Sequence, residues 1–230
     1  MGQLNEIKII YEDNHLLVVE KPSNMLTQSD ITGDADLLSV LKEDLRLRYN
    51  KPGEAYLGLV HRLDRPVGGV MVFAKTSKAA SRLSEQIRNR NFKKYYYAVV
   101  HGMPEKSFGT LEDYLYKDEE TNTVSVVSEE SGKGKIARLD YEVLESWEGM
   151  SLVKINLYTG RSHQIRVQFA NAGNPLYGDK KYGYTHNKID QQIALWSGGI
   201  VLTHPTLKEE LAFSSKPPEI YPWSLFKNIN

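Results

Sequence analysis

Three short stretches of this 230-residue chain carry side chains that could do chemistry. The first is His61-Arg62-Leu63-Asp64-Arg65, set between apolar runs on both sides. Buried charge is costly unless it is paired, so an Asp between two Args at the junction of two core strands needs a reason. An adjacent guanidinium lowers an Asp pKa by roughly 1–3 units. A carboxylate kept ionised in this way suits nucleophilic attack or charge stabilisation better than general-acid work. Strand alternation would place Arg62 and Asp64 on one face until the chain turns at Arg65-Pro66. Taken alone, the pair fits a structural ion pair that ties down a turn at least as well.

The second stretch is Thr159-Gly160-Arg161-Ser162-His163-Gln164-Ile165-Arg166. It reads as a strand passing through a tight turn into a helix capped by Ser162. Backbone N–H groups, Arg161 and His163 then lie where an anionic group would bind. Arg166 sits one turn in, off the core stripe of Ile165 and Phe169, and is placed to point across at a carboxylate. The third stretch is Lys93-Lys94-Tyr95-Tyr96-Tyr97. In a strand, Tyr96 faces away from Tyr95 and Tyr97. Aromatic residues beside cations suit a nucleic acid base and its phosphate, and they are equally ordinary sheet packing. Other motifs fail. Gly132-Lys133-Gly134-Lys135 lacks the spacing and the Ser/Thr of a P-loop. The six His are scattered, so no metal site is expected. Ser162 and His163 are sequence neighbours with nothing else to suggest a triad.

These residues need elements to hold them. Ile7–Tyr11 and Leu16–Glu20 read as strands joined by a turn, with Asn24 suited to positive φ after Lys21-Pro22. Leu37, Leu41 and Leu45 recur every fourth residue, which predicts a helix over Asp36–Arg48 with Asp34 or Asp36 as cap. Strands follow at Leu57–Arg62 and Gly69–Ala74. Ser77 is then expected to cap a helix to about Arg90, with Ala80, Leu83 and Ile87 inward. Lys94–Val100 reads as a strand, and period-two alternation continues from 110 to 158. The helix after Ser162 closes at Gly173, strands lie near 200–204 and 210–214, and Pro217-Pro218 starts a surface strap. The class expected is α+β, with a mainly antiparallel sheet.

Composition sets limits. Twenty-nine basic residues balance twenty-nine acidic ones, which argues against an indiscriminate polyanion binder. The charge is nonetheless local: Lys78, Arg82, Arg88, Arg90, Lys93 and Lys94 face only Glu85 in their segment. Such a run also fits a solvated helix face. There is no Cys, hence no disulfide or thiolate metal site. The opening residues have no leader pattern, and no run approaches the roughly 18 apolar residues of a membrane span. The expected location is the cytoplasm.

Together the three stretches resemble the RluA-type RNA pseudouridine synthases, which carry H-R-L-D, then K-x-Y-x-A, then T-G-R-x-H-Q-I-R. Here these are His61–Asp64, Lys94–Ala98 and Thr159–Arg166. Lys21-Pro22, Asn174-Pro175-Leu176-Tyr177-Gly178-Asp179, Tyr182-Gly183, His204-Pro205 and Pro217-Pro218 extend the match in order along nearly the whole chain. The resemblance implies a curved, mostly antiparallel mixed sheet in two halves, with flanking helices and a central cleft. It implies Asp64 as nucleophile, Tyr96 packed on the target base, and Arg166 holding the Asp carboxylate. Arg62 would contact RNA and help keep the target nucleotide out of the stack. Lys94, Arg161, His163 and Gln164, with Arg88 and Arg90 of the basic segment, are the further expected RNA contacts.

The reaction implied is isomerisation of specific uridines in ribosomal or transfer RNA to pseudouridine, without metal or organic cofactor. The nucleotide must first be extruded, at a cost of a few kcal/mol. The partner expected is structured RNA, with neither DNA nor membrane, and the chain is expected to act as a monomer. Residues 1–230 are expected to form a single catalytic domain with no separate RNA-binding domain. Two alternatives remain open at this point: an RNA-binding or chaperone module without turnover, and an Asp-based nucleoside hydrolase. The chain departs from the pattern at Val67-Gly68-Gly69, where Thr-Ser-Gly is usual. It departs again at Ser23-Asn24 in place of x-Gly, and at Leu195-Trp196-Ser197 in place of Leu-His-Ala.

Overall fold

The computed structural model describes residues 7–183, 185–188 and 190–229. The chain divides into two compact units, one made by the residues up to Lys93 with Ser197–Ser215, the other by Lys94–Trp196 with the residues from Lys216 onward. The described residues form mostly antiparallel strands and three α-helices, the α+β class that the pattern predicts.

In the first unit, β1 (Lys8–Glu12) and β2 (Leu16–Lys21) form an antiparallel hairpin. Asp13 closes its turn by accepting the N–H groups of His15 and Leu16, both at 2.7 Å. β2 pairs antiparallel with β4 (Gly68–Ala74), and β3 (Gly58–Leu59) pairs with the far end of β4. The Ser197–Thr203 part of β10 (Leu195–Thr203) neighbours β4 and pairs with β11 (Glu210–Ser214). Every residue of β4 is buried, as a central strand covered on both faces requires. One face carries Leu16, Val18, Val70, Val72, Ile200 and Leu202, onto which α2 (Ser77–Arg88) lays Ala79 and Leu83. Alternation sends Leu17, Val19, Met71 and Phe73 to the other face, where they too are buried. α1 (Leu37–Arg48) buries Leu37, Leu41 and Leu45, the predicted stripe. Each such burial stabilises by about 1.5–3 kcal/mol.

The caps refine the sequence reading. Asp36 Oδ1 accepts the Ser39 N–H at 3.0 Å, so Asp36 rather than Asp34 starts α1. For α2 the cap is Thr76, whose Oγ1 accepts the Ala79 N–H at 3.1 Å. Ser77, expected in that role, is already helical. Thr76 wins because its backbone is extended and its hydroxyl reaches the orphan N–H.

The second unit is an antiparallel succession of β5 (Lys93–His101), β9 (Met150–Leu157), β8 (Lys135–Trp147), β6 (Phe108–Asp118) and β7 (Thr123–Val127). Tyr96 lies opposite Ile155, which lies opposite Tyr141. The Tyr141 ring meets Phe169 of α3 (Gln164–Asn171) at 5.5 Å, so Tyr96 shares the sheet face that α3 covers. Tyr95 and Tyr97 meet edge-on at 5.9 Å on the opposite face, as alternation predicts. There Tyr97, Val99 and Leu152 pack with Trp223 and Phe226. The tail from Pro217 is therefore more than a surface strap: two of its aromatics, Trp223 and Phe226, complete a core. No helix among the described residues is long and apolar enough to cross a membrane.

Candidate active site

Asp64 lies on an irregular segment between β3 and β4. The predicted strand over 57–62 shrinks to Gly58–Leu59. The reason is His61. Its Nε2 accepts the Val72 N–H of β4 at 3.0 Å, a ladder bond made by a side chain, and the backbone departs from the sheet there. The expectation that Arg62 and Asp64 share a strand face is thus corrected, because no strand runs through them. Arg62 is exposed and Asp64 partly buried. Arg65 pairs with Asp34 at 2.7 Å on the surface.

The segment is held by its backbone. Thr27 Oγ1 donates to the Leu63 carbonyl at 2.8 Å, and the Val67 N–H donates to the Asp64 carbonyl at 3.0 Å. Lys21 is fully buried, and its Nζ donates to the carbonyls of Arg65, Pro22 and Met25 at 3.1, 2.9 and 2.6 Å. Burial pushes the Lys21 ammonium down to about 7, against the pull of the Asp64 carboxylate and with the push of Arg65. Asn24 has φ 64, so it supplies the backbone shape of the usual glycine. Gly69 has φ +114, and a Cβ there would come within 2.3 Å of the Ser197 carbonyl oxygen, so Gly is the residue that position requires.

Tyr96 and Arg166 belong to the second unit. The start of α3 differs from the predicted Ser162 cap. His163 stands at the cap position with φ 51 and no capping bond from its side chain, and Ser162 is exposed. The turn is knit by Gln164 instead. Its Oε1 accepts from Thr159 Oγ1 at 2.8 Å and from the Arg161 N–H at 3.1 Å, while its Nε2 donates to Gln168 at 3.0 Å. Gln164, expected to contact RNA, is 3% exposed, and its side chain builds the turn. Arg161 is exposed, with Nε donating to the Ile136 carbonyl at 2.9 Å.

Arg166, expected to hold the Asp64 carboxylate, is buried and meets a carboxylate in its own unit. Within this unit that carboxylate is Asp179: Nε to Oδ2 is 2.7 Å and Nη2 to Oδ1 is 2.9 Å. Asp179 is 1% exposed and also accepts the N–H groups of Lys181 at 3.0 Å and Tyr182 at 3.3 Å. A buried ion pair needs such extra bonds to offset desolvation. Asp179 lies in the Asn174–Asp179 motif, whose spacing assigns it no role. The available signal was the buried Arg itself, which needs an anion.

Lys94 lies two residues before Tyr96 on the same strand face. Burial pushes its ammonium below the usual lysine range. Gly160 lies beside it: a Cβ there would be in ordinary contact, 3.4 Å from Lys94 Nζ. Arg88 ends α2, and Arg90 follows with φ 59; both are exposed in the first unit. No group of three metal-ligating side chains occurs among the described residues.

Residues 15–171 match the family described as RNA pseudouridylate synthase. An uncharacterized RNA pseudouridine synthase of Aquifex aeolicus is 32% identical over 94% of this chain and 72% of its own length. The ribosomal large subunit pseudouridine synthase C of Buchnera aphidicola is 33% identical over 86% of this chain, which spans 63% of that protein. Among solved structures, human RNA Pseudouridylate Synthase Domain Containing 4 superposes with a TM-score of 0.78 at 25% identity, over 95% of this chain and 91% of that one. The chain belongs to the RNA pseudouridylate synthase family, whose members are isomerases acting on uridines in RNA.

Proposed function

We propose that this chain isomerises specific uridines of structured RNA, ribosomal or transfer, with Asp64 acting on the ribose of an extruded nucleotide. The observation that carries the assignment is the hold on Asp64. Its segment leaves the sheet and is pinned through the carbonyls of residues 63, 64 and 65, so the main chain fixes where the carboxylate sits. Preorganisation of this kind is what a reacting group needs. Attack on C1′, or removal of a sugar proton to give a glycal, cleaves the C1′–N1 bond. The uracil then turns, C5 bonds to C1′, and the C5 proton leaves to water.

Tyr96 supplies an aromatic surface for the base, worth about 1–3 kcal/mol if it stacks as in single-strand binders. Arg166, fixed by Asp179, supplies a cation of set orientation in the catalytic group. Lys94 is desolvated beside Gly160 and suits a phosphate. Arg62, Arg161, His163, Arg88 and Arg90 extend the phosphate contacts. The chain acts as a monomer in the cytoplasm on this reading.

The test is tritium release from RNA carrying 5-tritiated uracil. Wild type is expected to release tritium, while Asp64→Asn releases none and still binds RNA. Equal release by both proteins would overturn Asp64 as the nucleophile, and free uracil as product would point to a hydrolase.

A further inference from the structure

Tyr182 has no part in the assignment above, yet it touches several of the groups named there. Its hydroxyl accepts the Val124 N–H of β7 at 3.0 Å and lies 2.6 Å from His163 Nδ1. The Arg166 guanidinium carbon is 5.2 Å from its ring centroid, and the His163 ring meets it edge-on at 5.6 Å. The ring also packs on the cluster of Leu115, Val124, Ala137 and Val167. One side chain therefore joins a catalytic cation, an imidazole and the backbone of a strand remote in sequence.

His163 needs such a hold. With φ 51 it occupies a region unfavourable to any residue with a Cβ, at a helix start that has no side-chain cap. The loop that presents Tyr182 is itself stiff. The Gly183 N–H donates to the Asp179 carbonyl at 2.9 Å. Asn187 Nδ2 donates to the carbonyls of Leu176, Asp179 and Gly183 at 3.0, 3.1 and 2.9 Å, and its Oδ1 accepts the Gly178 N–H at 2.7 Å. An asparagine with these partners fixes residues 176–183 as one piece, carrying both Asp179 and Tyr182.

We infer that Tyr182 is a positioning residue for the reaction on RNA, its hydroxyl aiming the His163 imidazole and its ring seating the Arg166 guanidinium. This rests on the reading that His163 contacts the RNA and Arg166 serves the chemistry. The two halves of the side chain then have separable effects. Loss of the hydroxyl disturbs substrate binding through His163. Loss of the ring disturbs turnover through Arg166 as well.

The experiment measures tritium-release kinetics for Tyr182→Phe, Tyr182→Leu, His163→Ala and the Tyr182→Phe/His163→Ala pair, with imidazole nitrogen NMR on each. Tyr182→Phe is expected to raise KM about five- to tenfold, the scale of one lost hydrogen bond, with kcat within about twofold. Tyr182→Leu is expected to lower kcat about tenfold further. Of the six histidines, His163 alone should change its nitrogen shifts in Tyr182→Phe. In the His163→Ala background the Phe substitution should add nothing.

Unchanged KM and unchanged His163 shifts in Tyr182→Phe would overturn the inference. So would an equal KM rise in the His163→Ala background, or a wild-type kcat in Tyr182→Leu. If Tyr182→Phe fails to fold, a wild-type KM in His163→Ala overturns it instead. Wild-type protein that released no tritium would strike the functional reading, and the imidazole spectra would still judge the hold of Tyr182 on His163.

Discussion

The two units secure their charged groups by opposite means. Around Asp64 the chain is irregular, and what fixes it is backbone: carbonyls of residues 63, 64 and 65 each receive a donor, two of them from the side chains of Thr27 and Lys21. Around Arg166 the chain is a regular helix, and what fixes the cation is side chain: a two-pronged bond to Asp179 with a tyrosine ring beside it. On the function proposed, the difference follows from the chemistry asked of each: anchors on the main chain fix the position of a carboxylate that is to react. A guanidinium meant to hold charge in place gains from a fixed fork geometry. Mutations should therefore report on different things in the two places: a buried charge pair in the second, the main-chain anchors of a loop in the first.

The largest effect is expected in the second unit. Asp179→Leu leaves the Arg166 charge buried without that fork, and removal of one partner from a buried pair costs about 3–5 kcal/mol. Replacing both, as Arg166→Met with Asp179→Leu, is expected to restore much of that stability, since an apolar pair carries no desolvation penalty. Urea unfolding of wild type and of both variants measures this. A double variant as unstable as the single would show that the pair is not the source of the loss.

The next effect sharpens the contrast in the first unit. Lys21→Met removes the donor from three part-buried carbonyls and is expected to cost about 1–3 kcal/mol, the penalty for one acceptor left unsatisfied once water reaches the other two. It should also remove a pH dependence. The folded lysine is pushed down to about 7 from 10.5. Between those values the unfolded chain holds a proton that the folded chain has shed. Wild-type stability should therefore rise with pH across that window relative to Lys21→Met, and the two should run parallel below pH 7. Thermal melts of both proteins from pH 6 to about 9.5 read the difference. Parallel curves throughout would mean that the ammonium stays charged and that its three carbonyls outweigh its burial.

The same contrast explains what the sequence disclosed. Periodicity found the elements that bury side chains: the Leu37, Leu41, Leu45 stripe of α1 and the alternation that sends Tyr96 away from its neighbours. These depend on spacing alone, which is visible in a string of letters. The segment around Asp64 reads as strand because its apolar flanks alternate correctly, yet it is irregular. What breaks the strand is one imidazole taking a backbone N–H, a contact between residues 61 and 72 that no local pattern carries. The cap of α3 was misassigned for a similar reason. Gln164 satisfies the turn from inside the helix and leaves Ser162 with no capping task. Asp179 went without a role because its partner is thirteen residues away across a loop.

The smallest predicted change tests the comparison most directly. Thr27→Val keeps the shape of a residue that is 5% exposed and removes only the hydroxyl that donates to the Leu63 carbonyl. The stability cost should be about 1–2 kcal/mol, the penalty for one buried carbonyl left without its donor. If the main chain positions Asp64, kcat should fall by about tenfold while KM for RNA stays within about twofold, because the substitution touches no group that meets the substrate. Lys21 and the Asp64–Val67 turn remain in place in this variant, so the loop loosens at one end without coming apart. A kcat equal to wild type at a reduced melting temperature would mean that the pin at Leu63 serves the fold and not the nucleophile. The hold on the carboxylate would then have to come from the Lys21 side of the segment alone, and Lys21→Met should carry the whole loss of turnover.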